Sequence, residues 1–191
     1  MMDSRELTST CKFLSLVLRH KPETIGVTLD ESGWVPVESL LQGMARLGRS
    51  LTLQQLEFVV KSNDKKRFEF DAERRMIRAS QGHSVAVELG YEPAVPPGIL
   101  YHGTVERFLE SINRSGLLKG NRHHVHLHDD ISVAHQVGLR RGRPVILQID
   151  AGAMTDSGIE FFRSTNGVWL VDTVPPEFLS LYEQPSREEA E

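Results

Sequence analysis

Apolar residues recur at helical spacing near the start of the chain. Leu7, Cys11, Leu14, Val17 and Leu18 share a face, and the pattern stops at His20-Lys21-Pro22. Pro22 disfavours helix at Lys21, which puts Arg19 and His20 on the last turn. A second helix is predicted over Val37–Leu47, ending at Gly48. Ser50 is placed to cap a third, where Leu53, Leu56, Val59 and Val60 form one stripe. The period then changes: RFEF from Arg67 and RMIRA from Arg75, joined by DAER, read as a β-hairpin.

Helices followed by a small hairpin suggest a winged-helix domain over residues 1–84. GYEPAVPPG, from Gly90 to Gly98, holds three prolines and two glycines and can be neither helix nor central strand, so residues 85–98 read as a linker. Beyond it, ILYHGT, HHVHLH, RPVILQI and GVWLVDTV look like strands. ERFLESINRSGL reads as a short amphipathic helix ending at Gly116, and a second short helix lies around Ser132–Arg141. Residues 99–183 therefore make a small strand-rich lobe, and the chain as a whole is α+β. Residues 184–191 read as a disordered acidic tail.

Composition narrows the class. The 191 residues are 39% hydrophobic and 25% charged, as in ordinary globular proteins. No apolar run approaches the ~20 residues of a membrane span. The first residues carry an acid and lack a small-residue cleavage site, which argues against a signal peptide. The single cysteine, Cys11, excludes an internal disulfide and fits a reducing cytoplasm. The net charge of −4 argues against bulk nucleic-acid binding. Residues 1–84 are mildly basic and the remainder acidic, so contact with a nucleic acid should be local.

RHHVHLHDD, from Arg122 to Asp130, holds four of the eight histidines. If extended, it projects His124, His126 and His128 from one side, as a metal site would. Spacing leaves three readings open: metal ligands, packed or solvated histidines, or an anion- or nucleotide-binding strand. Arg19, His20 and Lys21 place three potential cations at a helix end, where they also suit the helix dipole. Lys65-Lys66-Arg67 opens the hairpin. Gln81, Gly82, His83 and Ser84 form a polar loop suited to presenting N–H groups to a phosphate. Arg140-Arg141-Gly142-Arg143 is a basic cluster, either a solvated helix end or an RNA contact. Rossmann, P-loop and hydrolase-elbow signatures do not occur.

In order along the chain, KFLSLVLRHKP, GWVPVESLL, DKKRFEF, RMIRASQGHS, LYHGT, RHHVHL, GRPVIL and NGVWLVDTVPPEFL resemble the NAD⁺-dependent RNA 2′-phosphotransferase family. The likeness runs from about Lys12 to Tyr182. It implies an N-terminal winged-helix lobe and a C-terminal lobe of the ADP-ribosyltransferase type, which binds NAD⁺ as co-substrate without a metal. The substrate implied is RNA bearing an internal 2′-phosphate, tRNA-like, handled by a monomeric cytoplasmic enzyme. The catalytic set carried over is Arg19, His20, Arg67 and Arg122. The resemblance assigns His102, Gly103 and Thr104 to the adenosine side of NAD⁺, with His124, His126 and His128 beside them. Lys21, Gln81, His83 and Ser84 are expected to hold phosphate and RNA backbone. At one position the chain departs: the family strand usually continues HVHLS, and His128 stands where that serine belongs.

Two steps are implied. The RNA 2′-phosphate attacks the nicotinamide-ribose C1″ and expels nicotinamide, giving a 2′-phospho-ADP-ribosylated RNA. The ribose 2″-OH then attacks that phosphate, releasing RNA 2′-OH and ADP-ribose 1″,2″-cyclic phosphate. Two other functions compete: an ADP-ribosyltransferase that stops after the first step, and a winged-helix nucleic-acid binder without catalysis.

Overall fold

The computed structural model describes residues 2–63 and 65–183, and the expected acidic tail lies outside them. Two compact units emerge. One comprises Met1–Tyr91 with Asn121–His123 and Ser164–Asn166; the other comprises Glu92–Gly120, His124–Arg163 and Gly167–Glu191.

The first unit opens with α1 (Ser4–Arg19). Asp3 caps it, accepting from the Arg5 and Glu6 amides, and Glu6 closes the capping box. Its stripe buries Leu14, Val17 and Leu18. The helix stops at His20, because a 3-10 turn begins at Pro22 (Pro22–Ile25). There follow β1 (Val35–Pro36), α2 (Val37–Arg46) and α3 (Leu53–Lys61). Gly43 on α2 must be glycine, since a Cβ there would lie 2.5 Å from the Ile25 carbonyl oxygen. Thr52, not Ser50, caps α3, and the physical reason is reciprocity. Gln55 stands three residues after Thr52 and returns a bond to its amide at 2.8 Å, whereas Leu53 stands three after Ser50. β2 (Phe68–Phe70) and β3 (Met76–Ala79) form the expected hairpin. Asp71 holds its turn by accepting from the Arg75 and Met76 amides. β1 pairs on the far side of β3, making an antiparallel sheet β1-β3-β2.

In the second unit, β4 (Ile99–Val105) leads through a 3-10 turn into α4 (Leu109–Ser115) and β5 (Leu117–Leu118). Then come β6 (Val125–Leu127), α5 (Ile131–Leu139), β7 (Pro144–Asp150), α6 (Ala151–Asp156) and β8 (Phe162–Arg163). β9 (Trp169–Val171), β10 (Thr173–Val174) and β11 (Leu179–Leu181) complete it. The antiparallel sheets run β11-β7-β4, β6-β9-β8 and β10-β5. GVWLVDTV is two strands, because the chain changes partner at exposed Asp172: β9 pairs with β6 and β8, β10 with β5. The proline-rich stretch is partly structured here, with the Ala94 amide donating to Phe161 at 2.8 Å. Gly103 lets α5 lie directly on β4: a Cβ there would sit 1.8 Å from the Ala134 carbonyl oxygen.

The chain is thus α+β. No helix among the described residues is long and apolar enough to cross a membrane.

Candidate functional site

Within the first unit, tertiary structure gathers residues that lie far apart in the chain. Arg19 ends α1, Arg67 opens the hairpin, and Arg122 arrives in the 121–123 segment that belongs with this unit. Arg19 is part-buried and its Nη2 donates to the Arg67 carbonyl at 3.4 Å. Its Nε is buried with no hydrogen-bond partner. Burial, and next the charges of Arg67 and Arg122, bring the Arg19 guanidinium down to about 10. Among the described residues no carboxylate acts on it. A part-buried guanidinium held beside two further arginines in this way has a capacity for an anion.

Several contacts hold these cations in place. Asn63, 6% exposed, accepts at Oδ1 from the Arg67 amide at 3.4 Å and from Arg67 Nη1 at 3.3 Å. Its own Nδ2 donates to Cys11 Sγ at 3.4 Å. The Ser80 amide donates to the Arg67 carbonyl at 2.9 Å, and Tyr91 donates its hydroxyl to the Ser80 carbonyl at 2.6 Å. Burial pushes that phenol well above its usual range, so it stays a neutral donor. Asn166, from the 164–166 segment, donates to the Lys65 carbonyl at 2.9 Å. Asn63, Tyr91 and Asn166 were invisible in the sequence. Each acts through long-range contact, and none carries a local signature.

His20 is the cap residue of α1, and its Nδ1 lies 2.9 Å from Ser84 Oγ. Burial first, then Arg19 and Arg122, lower its pKa, so the free imidazole is mainly neutral at neutral pH. The Ser84 amide also donates to the Arg19 carbonyl at 2.9 Å, which fixes the QGHS loop to the helix end. His83 of that loop is 1% exposed, and neither ring nitrogen has a hydrogen-bond partner. Burial, followed by the charge of Arg19, drives it down to about 3. It packs against Gly33, where a Cβ would come 3.3 Å from Nε2. Gln81 has a buried Oε1 without a partner, while Lys21 is exposed.

The second unit holds the remaining candidates. Only Val125–Leu127 of the histidine run is strand; its apolar residues face the core and His126 is half-buried. His124 packs against Phe162 with ring centroids 5.6 Å apart and planes tilted by 56°. His128 forms a backbone bridge with Tyr101, exchanging bonds of 3.0 and 2.7 Å, and so joins this strand to β4. His102 Nδ1 lies 3.0 Å from the His126 carbonyl. A carbonyl only accepts, so Nδ1 carries the proton and Nε2 of the neutral ring is an acceptor. Thr104 is 3% exposed, and the bare Gly103 serves the approach of α5. No group of three His, Cys, Asp or Glu among the described residues is arranged to hold a metal ion. The donors and acceptors of the imidazoles match ribose hydroxyls and ring nitrogens, so a nucleoside fits them chemically.

Residues 4–173 match the family model described as RNA 2′-phosphotransferase, Tpt1 / KptA family. A probable RNA 2′-phosphotransferase of Hahella chejuensis is 51% identical over 177 residues, 93% of this chain and 95% of the relative. One of Pseudomonas aeruginosa is 52% identical over 179 residues, covering 93% and 98%. Another, of Nostoc punctiforme, is 51% identical over 179 residues, covering 94% and 98%. A match of this extent decides membership: the chain belongs to the RNA 2′-phosphotransferase family.

Proposed function

We propose that the protein removes an internal 2′-phosphate from RNA by transferring it to NAD⁺. The observation that carries this reading is the Arg19, Arg67 and Arg122 cluster, in which burial and the two neighbouring charges act on the Arg19 guanidinium and its Nε is left buried without a hydrogen-bond partner among the described residues. A 2′-phosphate dianion is the complementary ligand, since the guanidinium fork matches phosphate oxygens in pairs. Bound there, the dianion draws the His20 pKa back up, and the ring becomes a fourth donor. Lys21, Gln81, His83 and Ser84 are assigned to the surroundings of that phosphate and the RNA backbone, with Ser84 orienting His20.

His102, Gly103, Thr104, His124, His126 and His128 are assigned to NAD⁺, which when bound supplies an electrophilic ribose C1″ with nicotinamide as leaving group. In the first step a 2′-phosphate oxygen bonds to C1″ and the C1″–N bond breaks. In the second the 2″-OH bonds to phosphorus, the bond to the RNA 2′-oxygen breaks, and the proton ends on that oxygen. Products are RNA 2′-OH, nicotinamide and ADP-ribose 1″,2″-cyclic phosphate. Charge spreads over the phosphoryl oxygens in the second step, and positioned cations stabilise it there. The helices and hairpin of the first unit support a winged-helix lobe, and the antiparallel strands of the second support an ADP-ribosyltransferase-type lobe.

The test is a short RNA with one internal 2′-phosphate, incubated with protein, NAD⁺ and EDTA, with RNA and small-molecule products followed together. Cyclic phosphate with RNA 2′-OH is the expected result. Accumulating ADP-ribosylated RNA would mean an enzyme that stops at the first step, and no turnover would refute the assignment.

A further inference from the structure

The second unit is acidic, yet four of its arginines are collected in one place. β4 ends at Val105, paired with Pro144 at the start of β7. Arg107 follows that strand end by two residues, and Arg143 immediately precedes Pro144. Arg140 caps α5, and Arg141 continues from it through the turn at Gly142, which adopts φ 133°. All four arginines are exposed. The guanidiniums of Arg107 and Arg141 lie 5.0 and 5.7 Å from the same ring, half-buried Phe108.

Their state of pairing sets them apart. The unit's other cations among the described residues each have an acid: Arg114 meets Glu110 at 2.8 Å, Arg163 meets Asp129 at 3.8 Å, and Lys119 meets Asp172. Arg107, Arg140, Arg141 and Arg143 have no ion-pair partner among the described residues. Helix capping accounts for Arg140 and Arg141 at about 0.3–1 kcal/mol each. It leaves Arg107 and Arg143 unexplained, because neither belongs to α5. Four like charges, two of them over one aromatic ring, on an otherwise acidic unit match a polyanion carrying planar groups. Phosphodiester oxygens take the guanidinium forks, and unstacked bases take the ring and guanidinium planes.

We propose that Arg107, Arg140, Arg141 and Arg143, with the Phe108 ring under Arg107 and Arg141, form a docking surface for the backbone of the RNA substrate. It serves nucleotides other than the one bearing the 2′-phosphate. This rests on the reading of the protein as an enzyme acting on RNA. The surface raises affinity for long RNA without reading its sequence, since phosphate contacts position and base edges specify.

The experiment compares a short and a long RNA sharing one 2′-phosphorylated junction. The parent protein, R107Q/R140Q/R141Q/R143Q and the smaller variant R140Q/R143Q, which leaves the Phe108 contacts intact, are measured in parallel. Neutralising single-strand contacts should flatten the salt dependence of log affinity by about 0.7 per arginine. KM for the long RNA should rise on the order of tenfold at low salt, with KM for the short RNA much less affected. R114Q/K119Q, which removes the same kind of charge from paired positions, should leave the salt slope near that of the parent. An unchanged slope and long-RNA KM in both arginine variants would overturn the proposal. An equal loss in the R114Q/K119Q control would overturn it too. If the parent fails to turn over either RNA, the enzymatic reading falls, and the salt slope of long-RNA binding still decides whether the surface docks RNA.

Discussion

Arg19 in the first unit and His102 in the second handle a buried polar group in opposite ways. Arg19 keeps a buried Nε without a partner among the described residues and feels the charges of two other guanidiniums. His102 donates its Nδ1–H to the His126 carbonyl, which sets its tautomer in advance. The first arrangement costs stability until an anion arrives, so its electrostatic capacity is stored for a ligand. The second is a hydrogen-bonding surface already in register, suited to recognition at little cost. On the proposed function the first would be a phosphate clamp and the second a nucleoside shelf, and the difference is open to test by substitution.

The largest effect should come from breaking the charged side of the comparison. Arg67→Ala removes charge-assisted hydrogen bonds worth about 1.5–3 kcal/mol each and should lower turnover on the order of a hundredfold or more. NAD⁺ affinity, measured by titration, should stay within about a factor of two. Turnover at the parent's level would exclude the cluster from the chemistry.

Acid stability should separate the units next. His83 is buried with its pKa near 3, below the ordinary value of 6.5 carried by the unfolded chain. The folded state therefore favours the neutral ring, and the unfolded chain takes up the proton first as pH falls. Its contribution is complete above pH 6.5 and declines by about 1.4 kcal/mol per pH unit toward pH 3, if the fold survives that far. Urea denaturation at a series of pH values should show this slope, and His83→Gln should reduce it by one proton. The same slope in the variant would assign the acid sensitivity elsewhere.

Smaller effects are expected on the hydrogen-bonding side. His102→Ala should weaken NAD⁺ by about 0.5–1.5 kcal/mol, up to roughly tenfold, with the binding of inorganic phosphate unaltered. Loss of phosphate binding instead would mean that the division of labour between the units is wrong. The smallest change should be His128→Ser. The bridge to Tyr101 is made by backbone groups and survives any side chain, so NAD⁺ affinity should shift by about threefold at most. A larger shift, read by the same titration, would give the His128 ring a direct contact.

Several parts of this site were legible in the order of residues. Pro22 ends α1 where Arg19 and His20 must lie, and the change of period at Arg67 marks the hairpin. The histidine run promised three rings on one face of a strand. The strand proved to be Val125–Leu127, with His124 packed at a tilt against Phe162 and His128 bridged to β4. The cap of α3 was misplaced by two residues because Ser50 and Thr52 are both good caps, and only the Gln55 reciprocal bond distinguishes them.

What the sequence determined by itself is what depends on neighbours within a few positions: helix ends, the hairpin, the family's motifs and the residue types able to bind phosphate. The tertiary structure alone decided which of these groups share an environment. Arg19 and Arg67 are 48 positions apart, and Arg122 enters the first unit on a three-residue segment. Burial and mutual repulsion, the causes of the shifted Arg19 and His83, exist only once those charges are brought together in a low-dielectric interior. Asn63 becomes a support for Arg67, and Arg107 joins Arg141 around Phe108, for the same reason: long-range proximity is a property of packing, which no local pattern encodes.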